Sequence, residues 1–177
     1  LLTSNAGGAI STDGGEDGSN VPAGMFCLLP TDPDESARRL AQGIQERTGV
    51  RVAVLIADTE IRLLRQGTEN IAIGSWGIVP MRHQFGEADR YGKPKVGGLD
   101  AQADLLTAGA ALLMGQTSEG VPVVIVRGLE YEYAAQGGQV LAMPASWIGW
   151  GFAYVLWSWL KVRAASLLSP ILGHGDG

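Results

Sequence analysis

The stretch Val52 to Arg65, VAVLIADTEIRLLR, decides how this chain is read, because an apolar run stops abruptly at a carboxylate and a hydroxyl, Asp58 and Thr59. The six residues from Val52 to Ala57 are apolar without alternation, the pattern of a strand buried on both faces, with Asp58 emerging at its carboxyl end. The carboxyl ends of such strands are common places for sites. A charge there is unfavourable unless it is paired or holds a cation, and Thr59 adds a second hard oxygen within reach of the same ion. The alternative is that Asp58 closes a turn or pairs with Arg62 or Arg65.

Upstream, Asp32-Pro33-Asp34-Glu35 is a strong helix start. Asp32 is placed as the N-cap, Pro33 takes the first helical position, and Glu35 is placed to complete a capping box. Ala37, Leu40, Ala41 and Ile44 fall on one face, Arg38, Arg39, Gln42 and Glu46 on the other, and Gly49 ends the helix. Before it, Met25 to Leu29 reads as a short buried strand that takes Cys27 into the core. Strand, helix and the Val52 strand then form one strand-helix-strand passage. Leu1 to Gly24 has the Gly, Ser, Asn and Asp composition of a loop or linker. Within it, Asp17 and Asn20, three apart in Asp17-Gly18-Ser19-Asn20, either aim oxygens and an amide at one ligand or close a turn.

Downstream, Ile71 to Gly74 predicts a second strand. Residues 83 to 98, HQFGEADRYGKPKVGG, have neither period and suggest a functional surface loop or lid. His83, Glu87 and Asp89 lie in this region, at a spacing that matches no metal-ligand template and favours solvated loop residues. Ala101 to Met114 predicts a helix lined by Leu105, Ala108 and Leu112, and Val121 to Val126 a further buried strand leading into Arg127. From Val140 to Leu160 no residue is charged and four of the five tryptophans occur, with Lys161 and Arg163 beyond. That length reaches the minimum for a membrane span, but Pro144, Gly149 and Gly151 interrupt it, so a buried or partner-covered helix is expected, with membrane contact through the tail the alternative.

Composition sets outer limits. A chain of 177 residues suffices for one domain with a real core. Its apolar fraction of 46% is ordinary, while 26 glycines are many. The net charge of −5 argues against a dominant nucleic-acid surface. A single cysteine excludes an internal disulfide and suits a reducing, cytoplasmic setting. The chain starts at Leu1 with neither an initiator methionine nor a signal-peptide pattern, as expected of a piece of a longer protein.

In order along the chain, Ser4-Asn5-Ala6-Gly7, Asp17-Gly18-Ser19-Asn20, Leu28 to Ala37, Ala57-Asp58-Thr59, Ala72-Ile73-Gly74, Tyr91-Gly92, Met114-Gly115-Gln116, Glu119-Gly120-Val121-Pro122 and Ile125 to Gly128 resemble the coenzyme F420-0:L-glutamate ligase family. No one of these is specific; the ordered set is. The resemblance implies an α+β fold with a mixed sheet and flanking helices, and an intertwined homodimer in the full-length protein. Residues 1–133 would be the ligase-like domain, lacking its N-terminal part, and residues 134–177 a divergent apolar, tryptophan-rich tail.

The activity implied is GTP-dependent addition of L-glutamate to F420-0 through an acyl phosphate, with Mg or Mn, and K as a further ion. By this resemblance Asp17, Asp58, Thr59 and Gln116 match metal ligands, with Asp13 competing with Asp17. Asn20 matches a GTP contact, and Met114, Gly115, Gln116, Thr117, Ser118, Glu119, Gly120 and Val121 a GTP-binding segment. Hard oxygens without His or Cys clusters agree with Mg or Mn rather than zinc. Arg62, Arg65 and Arg127 are candidate phosphate or carboxylate clamps or surface ion pairs. No catalytic side chain is singled out.

The chain departs from the family pattern around these positions. Glu60 to Leu64 keep only the arginine of the family's Gly, Arg, Pro and Trp; Asn70 stands where an acidic residue is usual; and the likeness stops after Tyr133. Besides a true ligase, two readings stay open. One is a divergent member acting on another carboxylate or binding metal and nucleotide without turnover. The other is a non-enzymatic, membrane-attached interaction module.

Overall fold

The computed structural model describes residues 2–4, 10–12, 16–62, 66–135, 137, 141, 149, 153–154, 156–157 and 159–160. The chain divides into two units, Leu1–Ala142 and Met143–Gly177. In the first, the described elements run β1 (Leu2–Ser4), β2 (Ile10–Thr12), β3 (Glu16–Asp17), β4 (Cys27–Leu28), α1 (Pro33–Thr48), β5 (Val54–Ile61), β6 (Thr68–Trp76), β7 (Arg82–His83), β8 (Leu99–Asp100) and α2 (Gln102–Met114). Among the described residues the strands pair antiparallel, two by two: β1 with β2, β3 with β4, β5 with β6 and β7 with β8. The mixture of helices and antiparallel pairs is α+β.

Helix α1 begins as its sequence dictates. Asp32 is extended, its Oδ1 accepts the Glu35 N–H at 2.9 Å, and Pro33 follows at the first helical position. Glu35 does not close the capping box; its carboxylate takes the Arg38 guanidinium in a bidentate pair. Gly49 ends the helix in the left-handed region at φ 72°, donating its N–H to Gln45 O. Of the expected apolar face only Ala37 and Ala41 are buried, while Leu40 and Ile44 remain exposed.

Small residues set the packing. Among the described residues Ala37, Ala41, Ala72, Ile78 and Ala103 are the buried apolar ones, and their mostly small side chains let both helices sit close on the β5–β6 ribbon. Gly74 brings β6 against the start of α1, since a Cβ there would lie 2.5 Å from the Pro33 carbonyl carbon and oxygen. Two carboxylates stitch the helices to the ribbon: Asp34 Oδ1 accepts Ser75 N–H at 2.8 Å, and Asp104 Oδ1 accepts Ala72 N–H at 2.9 Å.

The ribbon corrects the first expectation. β5 is not a strand buried on both faces with Asp58 at its end; it runs on to Ile61, is half-buried along most of its length and among the described residues pairs only with β6, so Asp58 lies in mid-strand. Its register with β6 shifts once: Ile56 faces Gly74, but Ala57 faces Ala72, leaving Ile73 as the extra residue of a bulge. Beyond it, Asp58 lies opposite Ile71 and Thr59 opposite Asn70.

Two other apolar runs are also exposed. Met25, Phe26 and Leu28 are exposed and Cys27 with them, because β4 pairs only with the two residues of β3. Val121 to Val126 forms no strand. Val123 and Ile125 are 74% and 73% exposed, and 124–126 line an open apolar cavity of about 340 Å³ with Leu105, Gly109 and Leu113 of α2. An apolar run signals that something should cover it, and here no described strand does.

Residues 81–98 are more ordered than a periodless loop. β7 and β8 start a hairpin continued by Gln84 N–H to Gly98 O at 2.7 Å and Gly86 N–H to Lys95 O at 2.9 Å, and Asp89 Oδ1 accepts the Tyr91 and Lys93 amides at its tip. Most of the tail lies outside the described residues. Those described in it at 153–154, 156–157 and 159–160 are helical and exposed, with the Tyr154 and Trp157 rings 6.3 Å apart. Among the described residues no helix is long and apolar enough to cross a membrane.

Candidate functional site

The bulge, α2 and the turn after it build one polar cluster. Thr59 on β5 faces Asn70 on β6, and its hydroxyl lies 3.1 Å from Asn70 Oδ1. Gly115, at φ 73°, breaks α2 and turns the chain so that Gln116 reaches back to the ribbon. Gln116 Oε1 then lies 3.1 Å from Thr59 Oγ1, and Gln116 Nε2 donates to Asn70 Oδ1 at 2.9 Å. Two candidate ligands 57 residues apart in the chain thus touch through side chains.

Asp58 stands beside this cluster. Its Oδ1 accepts the Thr59 N–H at 2.8 Å. Neighbouring strand positions alternate faces, so the Asp58 carboxylate and the Thr59 hydroxyl are presented in different directions rather than stacked on one point.

The turn after Gln116 is held by Glu119, whose carboxylate accepts the Thr117 N–H at 2.8 Å and the Thr117 hydroxyl at 3.1 Å. Backbone amides, its own and that of Thr117, hold the Glu119 carboxyl below its ordinary range. Thr117, Ser118, Glu119, Gly120 and Val121 are exposed, while Met114 and Gly115 are half-buried. In this exposed turn, hinged at Gly115 and Gly120, the Thr117 and Glu119 amides are thus taken by the Glu119 carboxylate.

Asp17 and Asn20 form a separate feature. Asp17 Oδ1 accepts the Ser19 N–H at 2.7 Å and its Oδ2 the Ser19 hydroxyl at 3.0 Å; these bonds, the backbone one foremost, lower its pKa. Asn20 adopts φ 54°, and the segment forms a turn. No described hydrogen bond joins Asp17 or Asn20 to the Thr59 cluster. Asp13 and Arg65 lie outside the described residues. Arg62 pairs with Glu69 at 2.8 Å, and Arg127 is exposed.

The donor set can be tested for a hard cation. Among the described residues no three His, Cys, Asp or Glu side chains converge, so any ion here would rely on mixed oxygens. Six-coordinate Mg with bonds of about 2.1 Å places adjacent ligand oxygens about 3.0 Å apart. The 3.1 Å between Thr59 Oγ1 and Gln116 Oε1 matches that edge, and Asp58 supplies a carboxylate nearby. Thr59 and Gln116 fit one edge of a small divalent cation's shell, while the Asp58 carboxylate is presented in a different direction.

Asn70 is the member of the cluster that sequence reading did not assign. The available signal was a polar residue opening the apolar run Ile71-Ala72-Ile73; it is 7% exposed, and buried polar groups need partners.

A family model described as F420-0:Gamma-glutamyl ligase matches residues 1–128. The chain is 42% identical over 132 residues to a coenzyme F420:L-glutamate ligase of Methanopyrus kandleri, covering 75% of this chain and 52% of that protein. It is 39% identical over 140 residues to the protein of that name from Methanothermobacter thermautotrophicus, covering 79% and 56%. The Archaeoglobus fulgidus protein of the same name is 42% identical over 129 residues, covering 73% and 52%. The chain spans about half the length of the curated relatives it matches.

Proposed function

Because this chain belongs to the F420-0:gamma-glutamyl ligase family, we propose that it forms part of a GTP-dependent ligase that joins L-glutamate to F420-0. The observation that carries the reading is the Thr59–Asn70–Gln116 cluster. It unites two of the residues that match family metal ligands, beside a third, Asp58, and at the start of the segment matched to GTP. The family description and the relatives' shared name support the ligase chemistry, with F420-0 and L-glutamate as substrates; an intertwined homodimer is the working form proposed with it.

The chemistry runs in two steps. A carboxylate oxygen of the acceptor takes the γ-phosphoryl group of GTP and GDP leaves. The glutamate amine then attacks the resulting acyl phosphate, losing a proton as inorganic phosphate departs and the amide forms. Mg or Mn, when bound, would screen the phosphate charges; the resemblance matches Thr59, Gln116, Asp58 and Asp17 to its ligands, of which Thr59 and Gln116 touch one another here. The chain's own part is placement. The 114–121 turn would contact the nucleotide, and Gln116, within that turn, ties it to the β5–β6 ribbon. Holding amine and acyl phosphate together supplies the rate advantage of the second step.

The test is thermal unfolding of the protein with GTP and Mn together, each alone, and in Asp58→Ala. A shift requiring both ligands and abolished by the substitution is expected. A ligand at a hundred times its Kd stabilises by about 2.7 kcal/mol, a readily measured change. Formation of the glutamylated product from F420-0 then tests the substrate. The absence of any shift at saturating GTP and Mn would defeat the proposal.

A further inference from the structure

We propose that Asn70 is the positioning residue of the Thr59–Gln116 oxygen pair, fixing which atoms of that pair face a cation; this deepens the proposed function and rests on its metal site. Asn70 is 7% exposed and joins four parts of the fold. Its Oδ1 receives the Thr59 hydroxyl from β5 and the Gln116 amide from the turn after α2. Its backbone carbonyl on β6 accepts the Thr107 hydroxyl from α2 at 3.1 Å, and Thr107 is itself 3% exposed.

Proton bookkeeping gives this arrangement its consequence. Thr59 has one hydroxyl proton and two acceptors at equal distance, 3.1 Å: Asn70 Oδ1 and Gln116 Oε1. When the proton points to Asn70, the Thr59 lone pairs and Gln116 Oε1 remain as two bare oxygens spaced for a cation. Without the Asn70 acceptor, the proton has only Gln116 Oε1 to point to, and the two oxygens are consumed by one another. Asn70 also fixes the orientation of the Gln116 amide. By accepting from Nε2 at 2.9 Å it leaves Oε1, rather than the amino group, towards Thr59. An amide in the opposite orientation would present hydrogens to the ion.

Both bonds end on one acceptor oxygen, so a carboxylate of the same shape preserves them. Asn70→Asp therefore keeps the arrangement and adds a charge beside the site, whereas Asn70→Ala removes the acceptor. Two readouts on the protein are required. The first is the side-chain amide resonance of Gln116 in a nitrogen-15 spectrum without metal. The second is Mn binding measured from the loss of the free Mn signal in electron paramagnetic resonance, with Mn alone as probe.

The expected result is a Gln116 amide resonance displaced from the unstructured position in the wild type and in Asn70→Asp, and returned to it in Asn70→Ala. Mn affinity should fall at least about tenfold in Asn70→Ala, equivalent to about 1.4 kcal/mol, and rise in Asn70→Asp. A wild type that binds Mn, with an Asn70→Ala variant that binds equally and keeps the displaced resonance, overturns the role of Asn70 while leaving the metal site standing. A wild type that binds no Mn overturns the metal site and this inference with it. Asn70→Asp carries the test if the alanine variant does not fold: weaker Mn binding or a lost Gln116 displacement in it is equally fatal.

Discussion

Replacing Gly74 by alanine tests the packing that holds the site's scaffold. The new Cβ would meet the carbonyl carbon and oxygen of Pro33 at 2.5 Å and the Pro33 Cβ at 2.6 Å, where ordinary contact starts at 3.4 Å. The first turn of α1 would have to withdraw by roughly 1 Å, and the atoms that must move are mainly backbone, which has no rotamer to escape into. Overpacking typically destabilises by about 1–3 kcal/mol, and a backbone clash belongs at the top of that range. Withdrawal also stretches the 2.8 Å bond from Ser75 N–H to Asp34, adding about 1 kcal/mol. A total near 3–4 kcal/mol lowers Tm by roughly 6–15 °C for a chain of this size. The paired control is Gly43→Ala within α1, where a Cβ meets nothing within 4 Å. There alanine should stabilise by about 0.5–1 kcal/mol through helix propensity alone. Thermal unfolding followed by far-ultraviolet circular dichroism reads both. Two shifts of the same sign, or a Gly74→Ala midpoint within about 1 °C of the wild type, would refute the close approach of α1 to β6.

Asp104 carries a pH prediction. Burial raises its pKa, partly offset by the Ala72 N–H it accepts, and the Glu69 charge raises it further. A carboxyl whose folded pKa lies above its unfolded one gives stability that is complete below the ordinary Asp range and is lost as pH rises through the raised value. Asp104→Asn keeps an acceptor without the charge, so its stability relative to the wild type should climb between about pH 4 and neutrality; a constant difference across that range would contradict the assignment. Asp104→Ala leaves the buried Ala72 amide without its acceptor and should destabilise by about 1–3 kcal/mol at low pH, by less as pH rises through the raised Asp104 value, measured by urea unfolding. Asp32→Ala should remove about 1 kcal/mol through loss of the N-cap, and Asp32→Ser should restore most of it; equal midpoints for all three proteins would discount the cap.

Local chemistry was the most legible part of the sequence. Asp32-Pro33 and Gly49 bounded α1 because capping and φ preferences act over a few residues, and Ile71–Gly74 fell within β6 for the same reason. What the residues did not disclose depends on partners. An unbroken apolar run such as Val52 to Ala57 cannot say whether it is a central strand or half of a two-stranded ribbon, and Val121 to Val126 cannot say what covers it. In the candidate site, Thr59 and Gln116 could be named from their resemblance to a family pattern. Asn70 was marked only as standing where an acidic residue is usual, since its contact with Thr59 follows from a register shift at Ile73 that no local preference announces.

That shift has a bearing on how this scaffold can change. Had the pairing of Val54 with Trp76 continued unbroken, Thr59 would stand across from Ile71, an apolar side chain with nothing to offer its hydroxyl. The ribbon is therefore two modules in different phase, one serving the contact with α1 and the other the oxygens. Side chains in the first can be exchanged without re-addressing the second, so drift in packing leaves the ligand end in frame. Loss or gain of one residue between them would do the reverse, leaving every side chain intact and each one facing the wrong neighbour.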